Sequence, residues 1–509
     1  MDGHPHHPHH SRTSLWFGTH PVTVPDAGRL EPGAVFDTVV AGAGLTGLAT
    51  AVLLARAGQR VAVLEARRVG AVATGNTTAK VSLLQGTTLA EIRRHQSDEV
   101  LRSYVEANRQ GQVWLLRYLD ERGIGYQRRA AYTYAATDAG LSTLRAELEA
   151  DRAAGLDVQW TTETDLPYPV TGAVRLADQA QIHPLELLDA LAAEFRELGG
   201  TLVEGVRVTG AGYRSPLTVR TSAGTVRTGR LVLATGVPVL DRGGYFAKLS
   251  PHRSYAQSYR VPGAIPQGMY LSADSPSRSL RTAPVEDGEL LLVGGNGHVT
   301  GRGPAPQDAV EDLEAWTQEH FPGAQRTHAW SAQDYRPANL VPFVGSLPRG
   351  GGNILVATGF NKWGMTNGVA AALRLSAQIL GESLDWARPM DTRLTTPADL
   401  LTGAKDNAAV GARLASGWAR GTLAHLPGGP PAEGQGVVGR EHGRPVAAST
   451  VDGVTCRVSA ICPHLGGIVS WNDAERSWDC PLHGSRFAAD GSLLEGPAVT
   501  GLRVRDRED

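Results

Sequence analysis

The chain has three cysteines, all within its last 60 residues, and two of them stand in a matched pair of motifs. Cys462-Pro463-His464-Leu465-Gly466-Gly467 comes first, and Cys480-Pro481-Leu482-His483-Gly484-Ser485 follows with fifteen residues between His464 and Cys480. Each motif offers one thiolate and one imidazole. Two thiolates on one iron and two imidazoles on a second is the ligation of a mixed-ligand [2Fe–2S] centre. A Cys2His2 zinc site uses the same donors, but zinc sites usually pair Cys with Cys and His with His at short spacing. The mixed pairs therefore favour the two-iron centre. Glycines after each ligand pair let two loops close over a cluster with backbone amides facing the sulfurs. Three cysteines are an odd number, which argues against a disulfide framework. Cys456, on the alternating run VTCRV, is expected to be a buried structural thiol.

A second constellation lies near the other end. Phe36 to Ala41 (FDTVVA) has the composition of a buried parallel strand, Gly42-Ala43-Gly44-Leu45-Thr46-Gly47 follows, and LATAVLLARAG continues as a helix. The strand RVAVLEA then ends near Glu65, 18 residues after Gly47. This is a dinucleotide fingerprint in its βαβ context. Gly42 permits the tight turn, Gly44 lets amides approach a pyrophosphate, and Gly47 lets helix and strand pack closely. The helix N-terminus supplies partial positive charge. Glu65 suits ribose hydroxyls and would repel the extra phosphate of NADP. Two further segments favour FAD: LVLATG, ending in Ala234-Thr235-Gly236, and NILVATGF through Gly359 into NKWGMTNGVAAALRL. A second helix N-terminus suits a flavin, whose reduced form carries negative charge near N1. Gly295-Asn296-Gly297 follows the strand-like ELLLVGG, but no helix comes after it. A separate nicotinamide domain is therefore not expected, and the electron donor should be an organic substrate.

The elements that must hold these residues fit a multidomain chain of 509 residues, 41% hydrophobic and 20% charged. A formal net charge of −2 gives no reason to expect nucleic acid or an anionic membrane as partner. The apolar stretch Val39–Ala55 is explained by its glycine pattern, so no membrane span is expected, and a cytoplasmic location is the default. Residues 1–35, opening MDGHPHHPHH without a secretory apolar core, are expected to be an N-terminal tail. Residues 36–385 alternate strand and helix patterns, an α/β Rossmann-type domain with an interleaved α+β substrate domain. Pro184–Leu198 is a clear helix, and TLVEGVRV after it is strand-like. Residues 386–427 suggest a helical connector, PGGPP marks a boundary, and 428–509 should form an all-β domain.

Residues 36–385 resemble the glycine oxidase/D-amino-acid oxidase (DAO) family in GAGLTG, Glu65, GNTTAK (Gly75–Lys80), VEGVRV, LATG, RPANLVPFVG and TGFNKWGMTNG. The resemblance implies noncovalent FAD, because Gly70–Gln85 holds no His or Cys for attachment. It puts Glu65 at the adenine ribose and Val208 at adenine through its backbone, with Ala66 also among the cofactor-binding residues. It puts Thr77 and Thr78 along the isoalloxazine, and Gly364, Met365 and Thr366 at the flavin C2 carbonyl. Residues 432–509 resemble Rieske domains. Gly467 and Leu482 stand where high-potential members carry an extra disulfide, and Phe487 where they carry Tyr, while Ser485 remains. Fewer hydrogen bonds imply a potential below the top of the range of about −150 to +300 mV. Known FAD–Rieske architectures look like the whole chain, including SLWFGTH at Ser14–His20.

The resemblance implies oxidation of a small amine or amino acid by hydride transfer to flavin N5. Electrons would then pass singly to the Rieske cluster and to an external acceptor such as a ferredoxin. Reversed flow, with the cluster feeding FAD, and an electron carrier without small-molecule substrate are the alternatives. Arg336 and Tyr335, in DYRPANLVPFVG, and Lys362 are the candidate catalytic residues. Tyr259 and Arg281 are further candidates for a substrate carboxylate, and Lys80 for the flavin.

Overall fold

The computed structural model describes residues 12–20, 30–391 and 396–505. The His-rich opening residues lie outside this set.

The β-branched runs form one sheet in the order Phe343–Ser346, Ile354–Thr358, Gly224–Leu233, Val35–Ala41, Val61–Leu64 and Thr201–Val203. All its neighbours along this path are parallel except the first pair. Val39, Val40, Val63 and Leu231 are fully buried, as strands covered on both faces require. The apolar stretch is thus split between the strand Val35–Ala41 and the helix Leu45–Arg56. Among the described residues no helix is long and apolar enough to cross a membrane. A second sheet has nine strands, and its strands Lys80–Val81, Leu249–Arg260, Gly288–Val299 and Gln325–Pro337 reach the cavity described below.

Several expectations are corrected. TLVEGVRV is two strands, Thr201–Val203 and Val208–Ala211, broken where Gly205 takes φ +72°. The helix Pro184–Glu197 buries Leu185, Leu188, Leu191 and Phe195, but Leu198 lies past its end and is exposed. Gly295-Asn296-Gly297 does not follow a strand: it lies within Gly288–Val299, and the side chain of Asn296 binds Arg278, Asp312 and the carbonyl of Ala309. Ser14–His20 is no tail. Leu15 and Trp16 are buried, Ser14 donates to Gly75 O (2.5 Å), and the Trp16 indole donates to Thr77 O (2.6 Å). This segment braces the loop that carries Thr77.

The connector includes the helix Pro397–Leu423, started by a reciprocal cap between Thr396 and Asp399. Gly417 and Gly421 let it lie close against Ile468, with Val410 and Leu414 on the same core. It therefore packs as part of the C-terminal unit. That unit has a three-stranded sheet (Gly436–Glu441, Arg444–Val451, Val454–Ser459) and a four-stranded one (Ser470–Asn472, Ser477–Asp479, Arg486–Ala488, Leu493–Glu495). Cys456 is only half-buried on its edge-like strand, so the expected buried thiol is corrected.

Candidate functional site

A cavity of about 600 Å3 runs from the end of the parallel sheet to the second sheet. Gly42, Gly44, Leu45 and Thr46 line it, with Glu65, Ala66, Thr77, Thr78, Val208, Thr235, Gly236, Gly364 and Met365. The glycines divide their work. Gly42 has φ +104°, and a side chain there would meet Ala234 O at 2.5 Å. A Cβ on Gly47 would meet Gly42 O at 2.0 Å, so only glycine closes this turn. On Gly44 a Cβ would meet only Thr74 Oγ1, at 3.2 Å, which leaves the loop face open to a phosphate. Glu65 is buried, with Ala43 N–H donating to Oε2 (2.9 Å) and Arg67 N–H to Oε1 (2.8 Å). Burial nevertheless raises its pKa, and hydrogen bonds to ribose hydroxyls would favour the ionised form. Gly359 and Thr366 stand behind the wall. Gly359 accommodates Pro337, and the Thr366 hydroxyl donates to Asn108 Oδ1 (2.5 Å).

The four metal-ligand candidates come together at the tips of two loops. Cys462 and Cys480 are buried with their sulfurs in contact, and the rings of His464 and His483 lie 5.2 Å apart at 88°. Backbone N–H groups of His464 and Leu465 donate to the Cys462 sulfur, and those of Leu482 and His483 to Cys480. The Ser485 hydroxyl also donates to Cys462. A thiolate pair on one side, an imidazole pair on the other and five donors aimed at sulfur suit a two-iron cluster. Among the described residues no three His, Cys, Asp or Glu side chains converge as they would on one metal ion. A Cβ on Gly467 would strike the Leu482 side chain at 2.7 Å, so these two positions face each other where a disulfide would otherwise lie.

The FAD dependent oxidoreductase pattern (DAO) matches residues 37–378, and the Rieske [2Fe-2S] domain pattern matches 432–505. This chain belongs to the FAD dependent oxidoreductase family. It is similar, at 32% identity over 95% of its own length and 96% of the other's, to a protein of Bacillus subtilis named as a Rieske 2Fe-2S iron-sulfur protein, YhfW. Its fold is similar to glycine oxidase from Geobacillus kaustophilus, with TM-score 0.58 and 18% identity, covering 69% of this chain and 96% of that one. It is likewise similar to L-proline dehydrogenase from P. horikoshii, with TM-score 0.57 and 18% identity, covering 69% and 95%. This oxidoreductase therefore uses FAD and a Rieske [2Fe–2S] cluster, and the cavity and the paired loops provide groups that fit each.

Where the second sheet borders the cavity, Tyr335 and Arg336 line the wall, together with Lys362. Arg336 pairs with Glu91 (3.0 Å) with both side chains about a third exposed. A pair in that setting is worth about 0.2–1 kcal/mol, so an incoming anion can displace Glu91. Lys362 opens onto the cavity, and desolvation lowers its pKa while Asp334 opposes that. Lys80 is buried, donates to Tyr270 O and Ser279 Oγ (both 2.7 Å), and is pushed down to about 7 by burial and Arg281. Two candidates are corrected. Tyr259 is fully buried in the second-sheet core and donates to Gln257. Arg281 is buried and spends its donors on the carbonyls of Thr78, Ala79, Ile182 and Thr282, beneath the Trp16 ring. Neither lines the cavity.

Asp334 and Gln333 also line the cavity, and sequence patterns gave no sign of them. Asp334 accepts the backbone N–H groups of Tyr335 (2.7 Å) and Lys362, and burial pushes it up to about 6. These bonds hold the strained turn at Asn361 and Lys362, where φ is +47° and +72°. Gln333 Nε2 donates to the Tyr335 hydroxyl (3.0 Å) and to Gly484 O (2.9 Å) in the second cluster loop. Arg302 donates to Pro481 O (2.8 Å) and Leu482 O (3.1 Å), and buried Arg253 lies 3.5 Å from Asp479. Leu494, Glu495 and Gly496 of the Rieske domain complete the cavity wall.

Proposed function

We propose that the protein oxidises a small amine or amino acid at a C–N bond and delivers the electrons to an external one-electron carrier such as a ferredoxin. The observation that carries this reading is the shared wall. Tyr335, in the substrate end of the cavity, donates through its hydroxyl to Gly496 O (3.4 Å), and Gln333 beside it holds the cluster loop through Gly484. When bound, FAD would supply two-electron oxidation of the substrate with one-electron release, and the cluster would supply one-electron transfer outward.

The chain's own residues position and deprotonate the substrate. Arg336 exchanges Glu91 for a substrate carboxylate. Among the described residues no carboxylate pairs with Lys80, which below about pH 7 adds positive charge to the same cavity. Asp334 takes the proton that leaves the ammonium, so the amine reaches the flavin neutral, and its raised pKa suits that exchange near pH 6. Lys362 and the N-terminus of the helix Gly364–Leu380 line the cavity and would favour the negative charge of a reduced flavin held there. Loss of hydride and a proton from CH–NH leaves C=N, which balances the two electrons.

Anaerobic screening of primary amines, amino acids and N-methyl amino acids tests the reading. At least one is expected to bleach the flavin band. A flavin reduced by no amine, yet reduced by a ferredoxin with its reductase, would establish the reverse direction of flow.

A further inference from the structure

The imidazole edge of the cluster site faces the FAD domain, not solvent. The His464 side chain is 5% exposed, and its Nε2 lies 3.1 Å from Asp241 Oδ1, a residue 223 positions earlier in the chain. Phe246 sets its ring edge-on to both imidazoles, with centroids 5.7 Å from His464 and 5.3 Å from His483. The segment that brings these residues leaves the cavity wall at Gly236 and Val239.

That segment is firmly built. Arg242 beside Asp241 is buried, donates to Ala211 O (2.6 Å), and lies under the Tyr213 ring with its guanidinium 3.9 Å from the centroid. Gly243 takes φ +85° against Pro348, and Tyr245 packs edge-on to Phe343. Asp241 is thus presented by its own domain.

We infer that Asp241 is a positioning and tuning residue of the cluster: it accepts the Nε2–H of His464 while Nδ1 serves the iron, so the FAD domain supplies part of the cluster's outer shell. A ligating imidazole ordinarily gives its other N–H to such an acceptor, which fixes the ring and raises its basicity. A fixed negative charge there opposes the electron added on reduction and lowers the midpoint potential. The inference stands whichever way electrons flow and whatever the substrate is.

The test compares holoprotein carrying Asp241→Asn, Asp241→Ala or Asp287→Asn with the parent. Asp287 is a distant exposed acid paired with Arg260 and serves as control. Iron and flavin content certify loading. Midpoints come from redox titration of the cluster's electron paramagnetic resonance signal, and nitrogen hyperfine couplings report the two imidazoles separately. Asp241→Asn and Asp241→Ala are expected to raise the midpoint by about tenfold in the reduction equilibrium, or about 59 mV for one electron. The couplings of one imidazole should change and those of the other stay. Asp287→Asn should match the parent. Should Asp241→Ala lose iron, Asp241→Asn decides. An unchanged or lowered midpoint in fully loaded Asp241→Asn, or an equal shift in Asp287→Asn, overturns the inference.

Discussion

The two redox sites are made from different materials. The proposed FAD site is largely backbone: a glycine turn at Gly42–Gly47, helix N-termini at Leu45 and Gly364, and a carboxylate, Glu65, fixed by two amides. Its pieces come from residues as far apart as Gly42 and Gly496. The proposed cluster site depends on the identity of four side chains held in one short stretch, Cys462 to His483. Backbone-built sites tolerate side-chain change except where a Cβ cannot fit. Side-chain-built sites fail outright when one donor is lost.

The sharpest way to break this contrast is to remove a ligand. Cys480→Ser should abolish the cluster, read as loss of iron and of the cluster's absorbance, while FAD is retained. Gly47→Ala should do the reverse: its Cβ has no room 2.0 Å from Gly42 O, so FAD retention should fall at least tenfold with iron content intact. Asp334→Asn removes the proposed proton acceptor, and because an amide oxygen can take only one of the two backbone N–H groups it also loosens the Lys362 turn, so flavin content is checked alongside. Amine-dependent flavin bleaching should slow about a hundredfold. In the parent that rate should rise as pH climbs through about 6, where the carboxyl ionises, and the rise should vanish in the variant.

The smallest effect sharpens the same comparison with acids outside both sites. Glu147 and Asp151 are fully buried one helical turn apart. Leu89 and Ala90 N–H groups donate to Glu147, whereas among the described residues neither carboxylate oxygen of Asp151 has a hydrogen-bond partner. Burial raises both pKa values, that of Glu147 to about 8. An acid raised on folding stabilises the fold in its protonated form, so stability is lost as pH rises from about 4 toward 8. Asp151→Asn should raise Tm at pH 8 by a few degrees, change it little at pH 5, and leave flavin reduction alone.

What was legible follows from the same contrast. The cluster ligands announce themselves because residue type and spacing are the chemistry. The glycine turn does so because only glycine meets its steric demands. Asp334 and Asp241 gave no signal, because their roles arise from burial and from contact with distant segments; an acid in DYRP or LDRGG has no diagnostic neighbour. Arg281 and Tyr259 have side chains suited to a carboxylate, but they sit inside the fold and are satisfied by its own groups. The polar, Pro-rich surroundings of Ser14–His20 suggested a tail, although the Leu-Trp pair within them is deeply buried.

In the proposed function, one cavity wall joins substrate oxidation to the cluster. Rapid anaerobic mixing with an amine that bleaches the flavin, following flavin and cluster bands separately, tests it directly. The flavin band is expected to fall first, and the cluster band then to fall at a rate independent of protein concentration. A cluster that stays oxidised beside a fully bleached flavin, or that is reduced only in proportion to protein concentration, would contradict it.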